Sequence, residues 1–262
     1  MRKRLIGLFI AGAFLLAVAP HALTTPRPAE QRDDSWPFKD ETNQSYNLSA
    51  GARVEVSGIN GRVEISPGSG AAQVHIIRTA PTEEDLTHHR IIVQNSGNSL
   101  IVRGESENHS HARVRHHVIL TVPTGVQLTV SGVNGPVEVG DIDGPVDLHG
   151  INGRVNIGRA VQHSNIDGIN GSITISLSSL GEQGMHVSGV NGRINIALAD
   201  GVNADLEVSS INGGVSSDLP MTIQGKWGPR DFRAKLGAGG APISISGVNG
   251  TIKISSLGGI AR

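Results

Sequence analysis

The sequence predicts an all-β fold: a β-solenoid (β-helix-like) of stacked short strands with Asn-Gly turns, preceded by an irregular β capping module. Three observations predict it. A nine-residue cassette recurs along the chain, the residues after each Asn-Gly alternate polar and aliphatic, and no Phe, Trp or Tyr occurs from Asn47 to Lys226. Strict alternation marks a strand with one buried face. A thin coil interior has room for one aliphatic layer and little room for rings.

The cassette reads SGINGRVEI (57–65), SGVNGPVEV (131–139), HGINGRVNI (149–157), DGINGSITI (167–175), SGVNGRINI (188–196) and SGVNGTIKI (246–254), with variants DIDGPVDL (141–148) and SINGGV (210–215). Its turn residues are the pairs Asn60-Gly61, Asn134-Gly135, Asp143-Gly144, Asn152-Gly153, Asn170-Gly171, Asn191-Gly192, Asn212-Gly213 and Asn249-Gly250. From Asn134 onward the Asn or Asp positions are separated by 9, 9, 18, 21, 21 and 37 residues, so two nine-residue units make a layer of eighteen to twenty-one. Asn-Gly favours backbone with φ > 0, which places a tight turn before each strand. Equal spacing puts equal residues above one another, and stacked Asn amides can then bond from layer to layer. The alternative is an antiparallel hairpin meander or sandwich in which Asn-Gly closes two-residue turns.

In chain order, residues 1–22 have the layout of a signal peptide: a basic head, Met1-Arg2-Lys3-Arg4, then fifteen apolar residues from Leu5 to Ala19. Fifteen helical residues reach only about 22 Å, short of a hydrocarbon core of about 30 Å, so cleavage is expected and no stable membrane span after it. Residues 23–47 read as a polar linker. Residues 48–130 read as the capping module, with less regular strands around AAQVHIIRTA and HHVILTV. Residues 131–258 are the repeat region, interrupted by an insertion at 221–242 that carries Trp227 and Phe232 and is expected to cap an open end.

Composition narrows the function. The chain has 22 Lys and Arg against 23 Asp and Glu, a formal net charge of −1, which argues against nucleic acid as a partner. The absence of cysteine excludes disulfides, thiolate metal sites and a cysteine nucleophile.

The segment VPTGVQLTVSGVNGPVEV (122–139) and the ending GAGGAPISISGVNGTIKIS (237–255) resemble the bacterial putative-adhesin family of β-strand-repeat domains, and the resemblance spans about residues 48 to 256. It implies an all-β repeat fold in an extracytoplasmic setting, and it brings no catalytic residues.

Three clusters could carry chemistry. His109, His111, His116 and His117, with His88 and His89 upstream, could hold Zn²⁺ or Cu²⁺ if three converged. Glu138, Asp141, Asp143 and Asp147 could form a cation loop, yet the calcium-loop pattern is not met and Asp143 sits in an Asn slot of the repeat. Arg62, Arg154 and Arg193 share the slot after Asn-Gly, with Arg159 nearby, and could form an anion-binding stripe, although Pro136, Ser172 and Thr251 also occupy that slot. The expectation is therefore an exported, non-enzymatic protein with a structural or adhesin-like role in the periplasm or at the bacterial cell surface. It would take no cofactor and would meet an envelope partner, protein or glycan, with edge-to-edge self-association as a further option. The alternatives are a carbohydrate-active β-helix enzyme and a periplasmic metal-binding module built on His88–His117.

Overall fold

The computed structural model describes residues 36–106, 113–160, 164–224 and 231–259. The expected signal segment 1–22, residues 23–35 of the expected linker, His109, His111 and Trp227 lie outside the described residues. The described residues all belong to one unit, Trp36–Arg262.

The chain is all-β and forms two large mixed sheets. Its strands are β1 (Phe38–Tyr46), β2 (Arg53–Ser57), β3 (Gly61–Gly68) and β4 (Ala72–Ala80), then the six-residue helix α1 (Glu83–His88), then β5 (His89–Ser96), β6 (Ser99–Ser106) and β7 (Arg115–Pro123). The cassettes supply β8 (Gln127–Val133), β9 (Val137–Val139), β10 (Val146–Asn152), β11 (Val155–Ala160), β12 (Ser164–Asn170), β13 (Ile173–Leu177), β14 (Met185–Ser188) and β15 (Ile194–Leu198). The chain closes with β16 (Ala204–Ser209), β17 (Val215–Ser217), β18 (Met221–Gln224), β19 (Phe232–Leu236), β20 (Ala241–Ser246) and β21 (Ile252–Ser256).

Among the described residues the first sheet has ten strands in the order β1-β4-β7-β3-β9-β11-β13-β15-β21-β17, and the second eleven in the order β18-β19-β16-β20-β14-β12-β10-β8-β2-β6-β5. From β8 to β17 successive strands alternate between the two sheets, and each pairs in parallel with its counterpart one layer away. Asn-Gly therefore does not close hairpins. In the second cassette it links β8 of one sheet to β9 of the other. Among the described residues antiparallel pairing is confined to the ends, in β1–β4, β4–β7, β5–β6, β16–β19 and β18–β19.

Register explains why the cassette recurs. Across the first sheet Val155, Ile173, Ile194 and Ile252 are neighbours, as are Ile157, Ile175, Ile196 and Ile254. Val130, Leu148, Ile166, Val187 and Ile245 form the matching column of the second. All are buried, at 3% exposure or less. Each removes an aliphatic side chain from water, stabilising the fold by about 1.5–3 kcal/mol before chain entropy is counted. The aliphatic residue before each Asn, from Ile59 through Ile151 to Val248, is buried as well, so each turn is anchored in the core.

Three segments differ from the sequence expectation. Phe38–Tyr46, assigned to the linker, is an edge strand paired along its whole length with β4. Within the segment read as an irregular capping module, β2 and β3 lie in register with β8 and β9. Asp143-Gly144 is not part of the Asn column, because it lies in the opposite connection, from β9 back to β10, with Gly144 against Gly125 and Val126. Asp-Gly offers the same turn chemistry at either edge, so the nine-residue spacing merged two different corners into one series. The insertion at 221–242 contributes the β18–β19 pair, whose Phe232, Ala234 and Leu236 are buried along β16.

Candidate functional site

The Asn-Gly corners form one continuous edge. Asn134 Nδ2 donates to Asn60 Oδ1 at 3.1 Å, Asn152 to Asn134 at 3.2 Å and Asn170 to Asn152 at 3.2 Å. Asn249 donates to Asn191 at 3.4 Å, and Asn212 to Asn249 at 3.2 Å. Backbone bonds carry the column across the middle, with the Asn191 N–H on the Ile169 carbonyl at 2.9 Å and the Gly171 N–H on the Asn191 carbonyl at 3.0 Å. Beside this ladder the following glycines stack so closely that a Cβ on Gly135, Gly153, Gly171, Gly192, Gly250 or Gly213 would lie 1.7–2.2 Å from the carbonyl oxygen of the glycine one layer away. Two residues before each Asn stands a glycine with φ of 59–67° at Gly58, Gly132, Gly150, Gly168, Gly189 and Gly247. Ser210 fills that slot in one layer at φ 54°, and Asp231 Oδ1 accepts its N–H at 2.7 Å. A left-handed serine costs on the order of 1 kcal/mol, which that charge-assisted bond offsets.

The ladder ends on a buried histidine. Asn60 donates its amide to the Val114 carbonyl at 2.8 Å and its backbone N–H to His116 Nδ1 at 3.3 Å. His116 is 4% exposed, its Nε2 has no hydrogen-bond partner among the described residues, and burial, with His89 and Arg78 nearby, lowers its pKa to about 4. The other described histidines of the cluster do not gather with it as a metal site. His89 meets His116 edge-on at 6.4 Å between ring centres, His117 points outward to Glu64 at 2.9 Å, and His88 lies 3.8 Å from Glu84.

The acidic and basic clusters also separate. Glu138 faces outward from β9 beside Arg62 at 3.5 Å, whereas Asp147 lies on the outer face of the other sheet. Asp141 accepts the Arg159 backbone N–H at 2.7 Å and its Nε at 2.8 Å, which together hold its carboxyl below the usual range. Arg62 also pairs with Glu64 at 3.0 Å. Arg62 and Arg159 are thus engaged by carboxylates, and exposed pairs of this kind contribute at most about 1 kcal/mol. Among the described residues no three His, Cys, Asp or Glu side chains gather as a metal site.

The second sheet's outer face was not singled out from the sequence. Its central row runs Glu55, Thr129, Asp147, Asn165, His186 and Ser244 on neighbouring strands in register, which spaces these polar groups about 4.8 Å apart. Over its first three members lies a cleft of about 800 Å³, floored by Arg53, Glu55, Gln127, Thr129 and Asp147 and walled by Gly181, Glu182 and Gln183. Three carboxylates against one guanidinium give it a formal charge of −2. Such a surface offers hydrogen bonds to hydroxyl groups and disfavours anions. The signal that could have located it is the polar member of each alternating pair, read as a column across layers instead of along one strand. The next row places Ser131, His149 and Asp167 on successive strands, but Asp167 is engaged by the Ser188 hydroxyl at 2.6 Å and His149 bonds to neither neighbour. That row is not a nucleophilic triad.

No protein family matches the chain, and no curated protein does. Among solved structures, a putative cell adhesion protein from Clostridium sporogenes is 11% identical, with 84% of this chain and 100% of that chain covered at a TM-score of 0.42. A putative adhesin from Bacteroides fragilis is 13% identical over 83% and 98% of the two chains at 0.30, and one from Parabacteroides merdae 11% identical over 83% and 96% at 0.27. Likeness of this degree leaves function to the chain's own geometry. Among the described residues no helix is long and apolar enough to cross a membrane.

Proposed function

We propose that the protein is a non-enzymatic β-solenoid, exported to the bacterial periplasm or cell surface, that presents a regular polar face to envelope glycans or proteins. The observation that carries this reading is the construction of the second sheet. Its inner face is a continuous aliphatic column, and its outer face is a polar grid at strand spacing with a cleft of net negative charge. Weak hydrogen bonds repeated on a rigid grid suit an extended, hydroxyl-rich polymer, because the grid is ordered before binding and little entropy is lost on contact. The basic head and apolar block of residues 1–19 support export.

Two experiments test the two halves of the proposal. If the cassettes are stacked solenoid layers, deleting residues 153–170 joins Asn152 to Gly171 and removes one full layer. The shortened chain should then still unfold cooperatively, with a somewhat lower midpoint; a chain that cannot fold would overturn the layered reading. For binding, the full chain should co-sediment with purified cell-wall polymer, and Thr129→Arg with Asp147→Arg should reduce the retained fraction about tenfold by filling the cleft and reversing its charge. Equal retention of the two proteins would move the contact away from this face.

A further inference from the structure

The last cassette is not stacked last. In both sheets the strand order places β20 between β14 and β16, and β21 between β15 and β17. Ile243 therefore lies between Met185 and Leu206, Ile245 between Val187 and Val208, and Ile252 between Ile194 and Val215. The Asn249 amide is a middle rung, donating to Asn191 and accepting from Asn212, and Gly250 stacks between Gly192 and Gly213. The chain arrives at this slot from β19, on the far side of β16. It crosses past Asn203 in the four residues Gly237–Gly240, where φ is 59°, 80° and 154° at Gly237, Gly239 and Gly240 and Asn203 Oδ1 accepts the Ala238 N–H at 2.9 Å.

The slot is thus bounded by two layers that precede its occupant in the chain. Until residues 241–256 arrive, the backbone edges of β14 and β16 in one sheet, and of β15 and β17 in the other, face one another with no strand between them. From the geometry we propose that this C-terminal arch, Ala241–Ser256, is an exchangeable insert, and that the slot accepts the same arch from a second copy of the chain. An arch from another copy would make every register pair, amide rung and glycine contact that the chain's own arch makes. Only the short strap at 237–240 differs between the two arrangements, and a short, conformationally demanding hinge favours exchange. Because each copy both gives and receives an arch, reciprocal exchange closes into a two-fold dimer. This slot exists whatever the polar face binds.

The chain has no cysteine, so introduced thiols report the exchange directly. Ser188 on β14 and Ser246 on β20 are register partners with outward side chains, at a spacing that suits a disulfide. Full-length Ser188→Cys and Ser246→Cys chains would be unfolded together, refolded at high concentration and oxidised. Exchange predicts a disulfide between the two chains at least tenfold more abundant than from Ser131→Cys mixed with Ser246→Cys, because β8 is four strands from β20. A yield equal to that control, with the protein monomeric, overturns the proposal. The double variant Ser188→Cys/Ser246→Cys supplies an independent reading. A dimer that resists dissociation under non-reducing conditions supports exchange, exclusive formation of an internally bridged monomer overturns it, and failure to form any disulfide overturns the slot itself.

Discussion

Gly171→Val is expected not to fold at 37 °C, and Gly171→Ala to lose about 3 kcal/mol or more, read as the shift in urea midpoint. A Cβ at Gly171 would lie 2.0 Å from the Gly153 carbonyl oxygen, and φ there is 157°. The obstructing atom is backbone held in register by strands on both sides, so no side chain can swing away. Relief requires two layers to part, which would strain the parallel ladder and the aliphatic columns behind it. The companion change Asn170→Ala removes one amide rung at an exposed edge, and such a bond is worth about 0.5–1.5 kcal/mol. In the Asn-Gly pair the glycine is thus the costlier residue to replace. Gly214→Ala is the control: a Cβ there meets nothing within 4 Å, and its stability should hold within about 0.5 kcal/mol. Similar losses at 171 and 214 would mean that the glycine stack does not set the layer spacing.

The same repetition decides what could be read from the sequence. The aliphatic columns and the Asn edge were legible because alternation is local, and because identical residues at similar spacing have few ways to coincide. Layer order was not. SGVNGTIKI fits beside SGVNGRINI as well as any other cassette does, so nothing in the residues says that Asn249 lies between Asn191 and Asn212, or that β2 lies between β6 and β8. The 37-residue gap recorded the interruption but not the chain's return. Edge strand β1 was hidden for a related reason. FKDETNQSY contains one large aliphatic or aromatic residue at each end and none between, because an edge strand gains its stability from β4's backbone and needs little burial of its own. The polar row across the second sheet went unread because its members are far apart in sequence and unlike in chemistry, so its signal runs across strands and not along any one of them.

The second large effect concerns acid. His116 is one of six histidines in a sequence cluster that suggested metal, and its position in β7 gives it a different role. Asn60 donates its backbone N–H to Nδ1, so the neutral ring carries its proton on the buried, unpartnered Nε2. The groups facing it offer no relief for a positive charge. His89 approaches from β5, and Arg78 from β4 brings a cation already committed to Asp40 and to the Leu86 and His89 carbonyls. The folded pKa of about 4 lies below the ordinary 6.5, so between these values the unfolded chain binds the extra proton. Stability is therefore fully present above about pH 6.5, falls as the pH drops, and levels off below about pH 4 with about 3 kcal/mol lost. Most of this, about 2 kcal/mol, should appear between pH 7.5 and 5, above the range where most carboxylates titrate. His116→Asn retains an acceptor for the Asn60 N–H and cannot take up a proton, so its urea midpoint should be nearly flat across that interval while the parent's falls. Parallel pH profiles would mean that His116 is not the group that titrates. A flat variant profile would identify the end of the amide ladder as the part of the fold most exposed to acid.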